Sequence, residues 1–208
     1  LFRYSTYMGR KLNLILVEKT LRDRGFHFFT PFEFATIFKT SPTSAQKFLE
    51  RYTKKGVFIR AKNGFYLFEP DLSEEVALAN KIYSPSYVSL ETALSYHHLI
   101  PETVYSVTSV TTKPTREFTI ENRSFSYHKI KKEAYTGYLP TRFNGEIGLL
   151  AESEKALVDY LYFVSLGEKS LNDRLNLRQL DWLKIKKYAK LFKRPSLERM
   201  INDLNRRA

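Results

Sequence analysis

Thr43, Ser44, Gln46, Lys47, Arg51 and Lys54 lie close together, interleaved with Ala45, Phe48, Leu49 and Tyr52 at i, i+3, i+4 and i+7. That spacing puts the four apolar side chains on one face of a helix and the polar set, with Glu50, on the other. The chemistry open to such a face is recognition of a nucleic acid rather than bond-making. Short hydroxyls at the helix start can approach base edges, Gln46 can read them with a two-pronged amide, and Lys47, Arg51 and Lys54 can neutralise phosphates. Arg60 and Lys62 flank Asn63-Gly64 shortly afterwards, a second cationic point suited to a minor groove or a sugar–phosphate backbone. A domain that contacts protein would carry the same residues as a solvated face, so both readings stand here.

Bond-making chemistry has weaker candidates. Of the four histidines, His97 and His98 are neighbours on a predicted helix and point to different sides, whereas a helical metal pair needs i, i+4. His97 falls on the apolar face and reads as a hydrogen-bonded core residue. His128 sits in an alternating stretch, and His27 lies among aromatics as a structural residue. No Gly-x-Ser-x-Gly elbow and no Gly-rich phosphate loop is present. Glu152, Glu154 and Lys155 suggest the acid–lysine grouping of a metal-dependent nuclease, but acids in a first helical turn also simply offset the helix dipole. Asp159 fits an ordinary amphipathic pattern. No catalytic residue, metal or cofactor is expected. Near the C-terminus, Lys187, Lys190 and Arg194 recur at i, i+3 and i+7, with Lys184 and Lys186 nearby. Ile185, Tyr188, Ala189 and Phe192 share the opposite face. This basic amphipathic helix is either a second surface for a polyanion or a solubilising one.

The elements that must position these groups follow from caps and periodicity. A helix over residues 11–24 carries an imperfect stripe of Leu12, Ile15, Leu16, Lys19 and Leu21 and stops at Gly25. Thr30-Pro31-Phe32-Glu33 is a capping box that opens a short helix bearing Phe34, Ala35, Ile37 and Phe38. Ser41-Pro42 opens a third helix by the same chemistry, ending near Lys55. Two apolar runs, 57–61 and 65–68, surround Asn63-Gly64, where both residues tolerate the positive φ of a type I′ turn. Helix, helix, turn, helix and hairpin is the order of a winged helix-turn-helix.

Pro70 and the acidic residues after it mark a break in composition. Beyond it the pattern predicts a helix over 74–82, a loop at Ser84-Pro85-Ser86, and a helix over 90–99 capped by Ser89. Strands follow over 104–112, 116–121, 124–130 and 147–150, then helices over 152–164, 177–192 and 196–205. The expected architecture is α+β: residues 1–69 as a winged helix-turn-helix, then residues 70–208 with a small, mainly antiparallel sheet and basic C-terminal helices.

Length and charge fit that plan. The 208 residues suffice for two small domains. The net charge of +12 is uneven: thirteen Lys/Arg against five Asp/Glu up to residue 69, nine against twelve to residue 164, and twelve against five thereafter. Basic ends invite a polyanion. The absence of cysteine excludes disulfides and thiol nucleophiles and suits a reducing cytoplasm. No apolar run is long enough to cross a bilayer. The opening Leu1-Phe2-Arg3-Tyr4 lacks a signal-peptide pattern and reads as the trimmed start of a soluble protein.

Five segments resemble one family. They are Thr30-Pro31-Phe32-Glu33-Phe34 with the helices and hairpin that follow; Pro85-Ser86-Tyr87-Val88-Ser89-Leu90-Glu91-Thr92-Ala93-Leu94-Ser95-Tyr96-His97-His98-Leu99-Ile100-Pro101; Val110-Thr111-Thr112-Lys113-Pro114-Thr115-Arg116; Ser126-Tyr127-His128-Lys129-Ile130; and Ala151-Glu152-Ser153-Glu154-Lys155-Ala156-Leu157-Val158-Asp159. Together, over most of residues 26–165, they resemble the AbiEi antitoxin family, the regulator half of bacterial AbiE toxin–antitoxin and abortive-infection modules. Ser153 stands where a proline is expected, and serine still permits a helix start. The resemblance implies an N-terminal winged helix that binds double-stranded operator DNA and represses its own operon. It also implies a C-terminal domain that neutralises a nucleotidyltransferase-like toxin without a stable complex. A DNA-associated metal-dependent nuclease and a protein-interaction adaptor are the alternatives.

Overall fold

The computed structural model describes residues 12–61, 64–68, 75–120, 123–143 and 146–207. The chain divides into two compact units, Leu1–Leu72 and Ser73–Ala208. It is mixed α and β, with eight α-helices and two sheets among the described residues.

In the first unit, α1 (Leu14–Arg24) starts at Asn13, whose side chain accepts from the Ile15 N–H, and ends at Gly25 in the left-handed region, φ 63°. Its buried face is Val17 and Leu21, with Leu14 packed alongside; Ile15 and Leu16 are 77% and 62% exposed. The stripe expected through Ile15 and Leu16 is therefore corrected. The buried stripe is the i, i+4 pair Val17 and Leu21, which turns Ile15 and Leu16 to the other side of the helix. α2 (Pro31–Ile37) has its complete capping box: Thr30 accepts from the Glu33 N–H, and Glu33 accepts from the Thr30 N–H at 2.7 Å. α3 (Pro42–Thr53) is capped by Ser41, which accepts from the Ser44 N–H at 3.2 Å.

Three two-residue strands complete the unit: β1 (Phe28–Phe29), β2 (Ile59–Arg60) and β3 (Tyr66–Leu67), in the antiparallel order β1-β3-β2. The register Arg60↔Tyr66, with the Ala61 N–H donating to the Phe65 carbonyl at 2.8 Å, leaves three residues, 62–64, between the last paired positions. Gly64 stands at φ 77°, in the left-handed region that suits glycine, and the rest of the expected Asn63-Gly64 turn lies outside the described residues. β1 was not expected, since two residues are too few to show alternation. It forms because β3 offers a free edge. Phe29, Phe34, Phe48, Phe58 and Phe68 fill the core beneath, with ring centroids 5.5–6.4 Å apart.

The second unit holds α4 (Glu75–Ile82), β4 (Ser86–Val88), α5 (Leu90–Tyr96), β5 (Ser106–Thr111), β6 (Arg116–Ile120) and β7 (Arg123–Lys129). A 3-10 turn (Lys132–Ala134), β8 (Tyr138–Phe143), β9 (Glu146–Ala151), α6 (Ser153–Ser165), α7 (Trp182–Leu191) and α8 (Pro195–Arg207) follow. The sheet runs β6-β7-β5-β4-β9-β8, with β5/β7 and β4/β9 parallel and the other three pairings antiparallel. It is thus larger and more mixed than the small, mainly antiparallel sheet expected. Two strands account for the larger size, while part of the mixing comes from the parallel pairing of the expected strands β5 and β7. β4 includes Ser86, read as loop; all three of its residues are buried, so it shows no alternation. β8 carries Pro140, which an edge strand tolerates because it lacks one neighbour to bond.

β4 and β9 share only the registered pair Val88↔Leu150. Beside it the Asn80 side chain accepts from the Leu149 N–H at 2.5 Å and donates to the Ser86 carbonyl at 3.1 Å, tying the two strands through one amide. α5 ends at Tyr96, not near Leu99, with His98 at φ 56°. α7 begins at Trp182 rather than Leu177, because Asp181 caps it by accepting from Leu183 and Lys184. α6 is buried continuously from Glu154 to Leu161, which makes it the central helix of this unit.

Candidate nucleic-acid interface

α3 separates its side chains as the spacing requires. Ala45, Phe48 and Leu49 are buried in the aromatic core, while Thr43, Ser44, Gln46, Lys47, Arg51 and Lys54 are exposed. Ser44 is tied to the cap by a hydroxyl–hydroxyl bond to Ser41 at 2.9 Å. Glu50 lies half-buried on the same side and accepts from the Gln46 amide at 2.8 Å. Arg60 is exposed on β2, its guanidinium 6.0 Å from the centre of the Tyr66 ring. Lys62 and Asn63 lie outside the described residues.

An open cleft of about 670 Å³ runs past the starts of α2 and α3 to Gly64, lined by Thr30, Phe32, Thr43, Gln46, Lys47 and Glu50 among others. Phe32 is 72% exposed there, whereas Phe34, two residues on, is fully buried. The sequence reading passed over Phe32. The signal was available: Phe34 and Phe38, at i and i+4, fix the buried face of α2, and Phe32 falls on the opposite one.

The basic stripe near the C-terminus is not one surface. Lys187 and Lys190 are exposed on α7. Lys184 is paired with Glu152 at 2.9 Å and Glu154 at 3.4 Å. Arg194 lies beyond the end of α7 and donates to the Ser165 hydroxyl at 2.8 Å and its carbonyl at 2.6 Å.

The acid–lysine grouping is likewise divided. Glu152 and Glu154 turn to Lys184, and Glu152 also accepts from the Tyr188 hydroxyl at 2.6 Å. Lys155 turns into the core and is fully buried against Asp159, which is also fully buried. Asp159 accepts three donors: Lys155, the Tyr87 hydroxyl at 2.9 Å and the Ser89 hydroxyl at 2.8 Å. The Lys155 ammonium lies 5.5 Å from the Tyr87 ring centre and 5.0 Å from that of Phe192. Burial drives Asp159 above the usual carboxylate range and Lys155 below the usual amine range, against their mutual attraction.

Two expectations are overturned here. Ser89 makes no capping bond to α5, because its hydroxyl donates to Asp159 instead. Asp159 is no surface residue of an ordinary amphipathic helix. Among the histidines, the His97 Nε2 bonds the Ala151 carbonyl at 2.7 Å, and burial holds the His128 imidazole below its ordinary pKa. Among the described residues no group of three or more His, Asp or Glu is arranged to hold a metal ion, and no helix is long and apolar enough to cross a membrane.

The Glu152 pair gives a pH prediction. Burial raises its pKa, but the hydrogen bonds from Tyr188 and Lys184 outweigh that and leave the carboxylate below the ordinary value of 4.5. A depressed folded pKa stabilises the protein above 4.5, and the contribution is lost as pH falls through the folded value. Burial and the Glu152 carboxylate push Tyr188 up to about 12, so it remains a donor throughout. Unfolding midpoints followed from neutral pH downward should therefore fall more steeply below pH 4.5 in the wild type than in Tyr188→Phe. Parallel curves for the two proteins would remove this contribution.

No protein-family model matches the chain, and no curated protein matches it.

Proposed function

We propose that this chain is a DNA-binding transcriptional autorepressor and the antitoxin of a bacterial toxin–antitoxin pair. Its first unit acts as a winged helix-turn-helix on double-stranded operator DNA, and it works in the cytoplasm without a cofactor. The observation that carries the DNA reading is the two-sided α3. Three side chains anchor it in the aromatic core, and its opposite side presents Thr43, Gln46, Lys47, Arg51 and Lys54 to solvent beside an open cleft. A helix that enters a major groove needs that division, because the anchor fixes its orientation while the exposed side reads bases and touches phosphates. The antitoxin reading rests on the resemblance of five segments to the AbiEi family. It assigns the second unit the task of countering a nucleotidyltransferase-like toxin without a lasting complex.

The test is binding to the DNA upstream of the chain's own gene as salt is varied. Lys47, Arg51, Lys54 and Arg60 together should give a slope of log affinity against log salt of about −3 to −4, at about −0.9 per neutralised phosphate. A flat dependence, or equal affinity for unrelated duplexes, would overturn the operator reading. Rescue of cells that express a nucleotidyltransferase-like toxin from the neighbouring gene tests the antitoxin half separately.

A further inference from the structure

We infer that the cleft beside α3 selects an A·T-containing step, with Gln46 reading an adenine and Phe32 receiving a thymine methyl; this rests on the proposal that α3 enters a major groove. The Gln46 amide gives one N–H to Glu50 at 2.8 Å. One N–H and the carbonyl oxygen remain free to pair with a base. Adenine offers the matching pair in the major groove, an N7 acceptor and an N6 donor. Guanine offers two acceptors, and the amide oxygen would meet one of them without a hydrogen. Glu50 orients the amide by taking one of its two N–H groups, which leaves one donor and one acceptor for a base.

Phe32 supplies the second contact. It projects from the first turn of α2 into the same cleft, 72% exposed, among the polar groups of Thr30, Thr43, Gln46 and Lys47. A phenyl ring left in water on a polar surface gains free energy only when something apolar covers it. In the major groove the apolar group is the C5-methyl of thymine. Glu50 also argues against a phosphate seated at this point, since a carboxylate beside a phosphate is repelled. Of the cations that suit phosphates, Lys47 lines the cleft beside Glu50, while Arg51 and Lys54 follow it along α3 outside the cleft lining.

The experiment uses the full chain and a duplex from the DNA upstream of its own gene. Thymines are replaced singly by deoxyuridine, which removes the methyl and keeps the pairing. Adenines are replaced singly by 7-deazaadenine, which removes N7. At one thymine the loss of the methyl should weaken wild-type binding about fourfold, as burial of one such group supports. Phe32→Ala should bind the thymine and uracil duplexes equally, while Phe32→Leu keeps part of the discrimination. Gln46→Ala should become insensitive to 7-deazaadenine at one adenine. If Phe32→Ala weakens both duplexes alike, or keeps the wild-type ratio, Phe32 does not read a methyl. If no adenine position distinguishes Gln46→Ala from the wild type, Gln46 does not read adenine. Either result overturns this inference and leaves operator binding standing. A wild-type chain with no affinity for the upstream DNA overturns the operator reading itself, and this inference falls with it.

Discussion

Replacing Lys155 with methionine lowers the unfolding free energy by about 3–5 kcal/mol, as read from urea or thermal unfolding. Methionine keeps most of the side-chain volume, so the loss isolates the charge. Asp159 would remain fully buried, with the Tyr87 and Ser89 hydroxyls as its remaining donors and no cation. An uncompensated carboxylate in a low-dielectric interior must pick up a proton or carry the full desolvation cost. Domains typically have about 5–15 kcal/mol in total, so this single change removes a large share of it. Replacing both residues, Lys155→Met with Asp159→Leu, should recover much of the loss, because a well-packed apolar pair avoids the desolvation of two ions. A single-variant loss below about 1 kcal/mol would show that the pair does not carry this weight.

Changing Gln46, Lys47 and Arg51 together to alanine should weaken operator binding at least a hundredfold. One bidentate base contact accounts for about 1–3 kcal/mol, and two phosphate contacts make the salt slope shallower by about 2. All three side chains are exposed, so the fold is kept and circular dichroism should match the wild type. Operator affinity unchanged in a folded triple variant would remove α3 from the binding surface. Lys187 and Lys190 on α7 would then be the next residues to change.

Local chemistry made parts of the molecule legible in the sequence. The caps of α2 and α3 follow from residues within three positions of one another, and the buried side of α3 follows from its own spacing. Features set by distant partners were not legible. Ser89 has the local signature of a helix cap, yet its hydroxyl serves an aspartate 70 residues away. Asp159 has the spacing of an exposed residue, and only the approach of Tyr87 and Ser89 makes its burial tolerable. β4 is too short and too uniformly buried to alternate, so nothing in it signals a strand. Ile15 and Leu16 show a different limit, in which an imperfect stripe admits more than one apolar face and the core takes the one with Val17 and Leu21. In the proposed interface, the basic residues of α3 were visible by type. Phe32 lies within the capping-box segment, and its exposure follows only once Phe34 and Phe38 fix the buried face of α2.

The buried aspartate also bears on how the chain is made. The first unit closes its core with contacts between residues 12 and 68, so its folding needs only that stretch to have left the ribosome. The second cannot complete its interior so early. The Tyr87 and Ser89 hydroxyls wait for an acceptor that is synthesised 72 and 70 residues later. Such high contact order slows folding and leaves partly formed sheet exposed in the interval. A nascent chain that stalls before Asp159 therefore carries a finished N-terminal unit attached to one that still lacks the anion its core is built around.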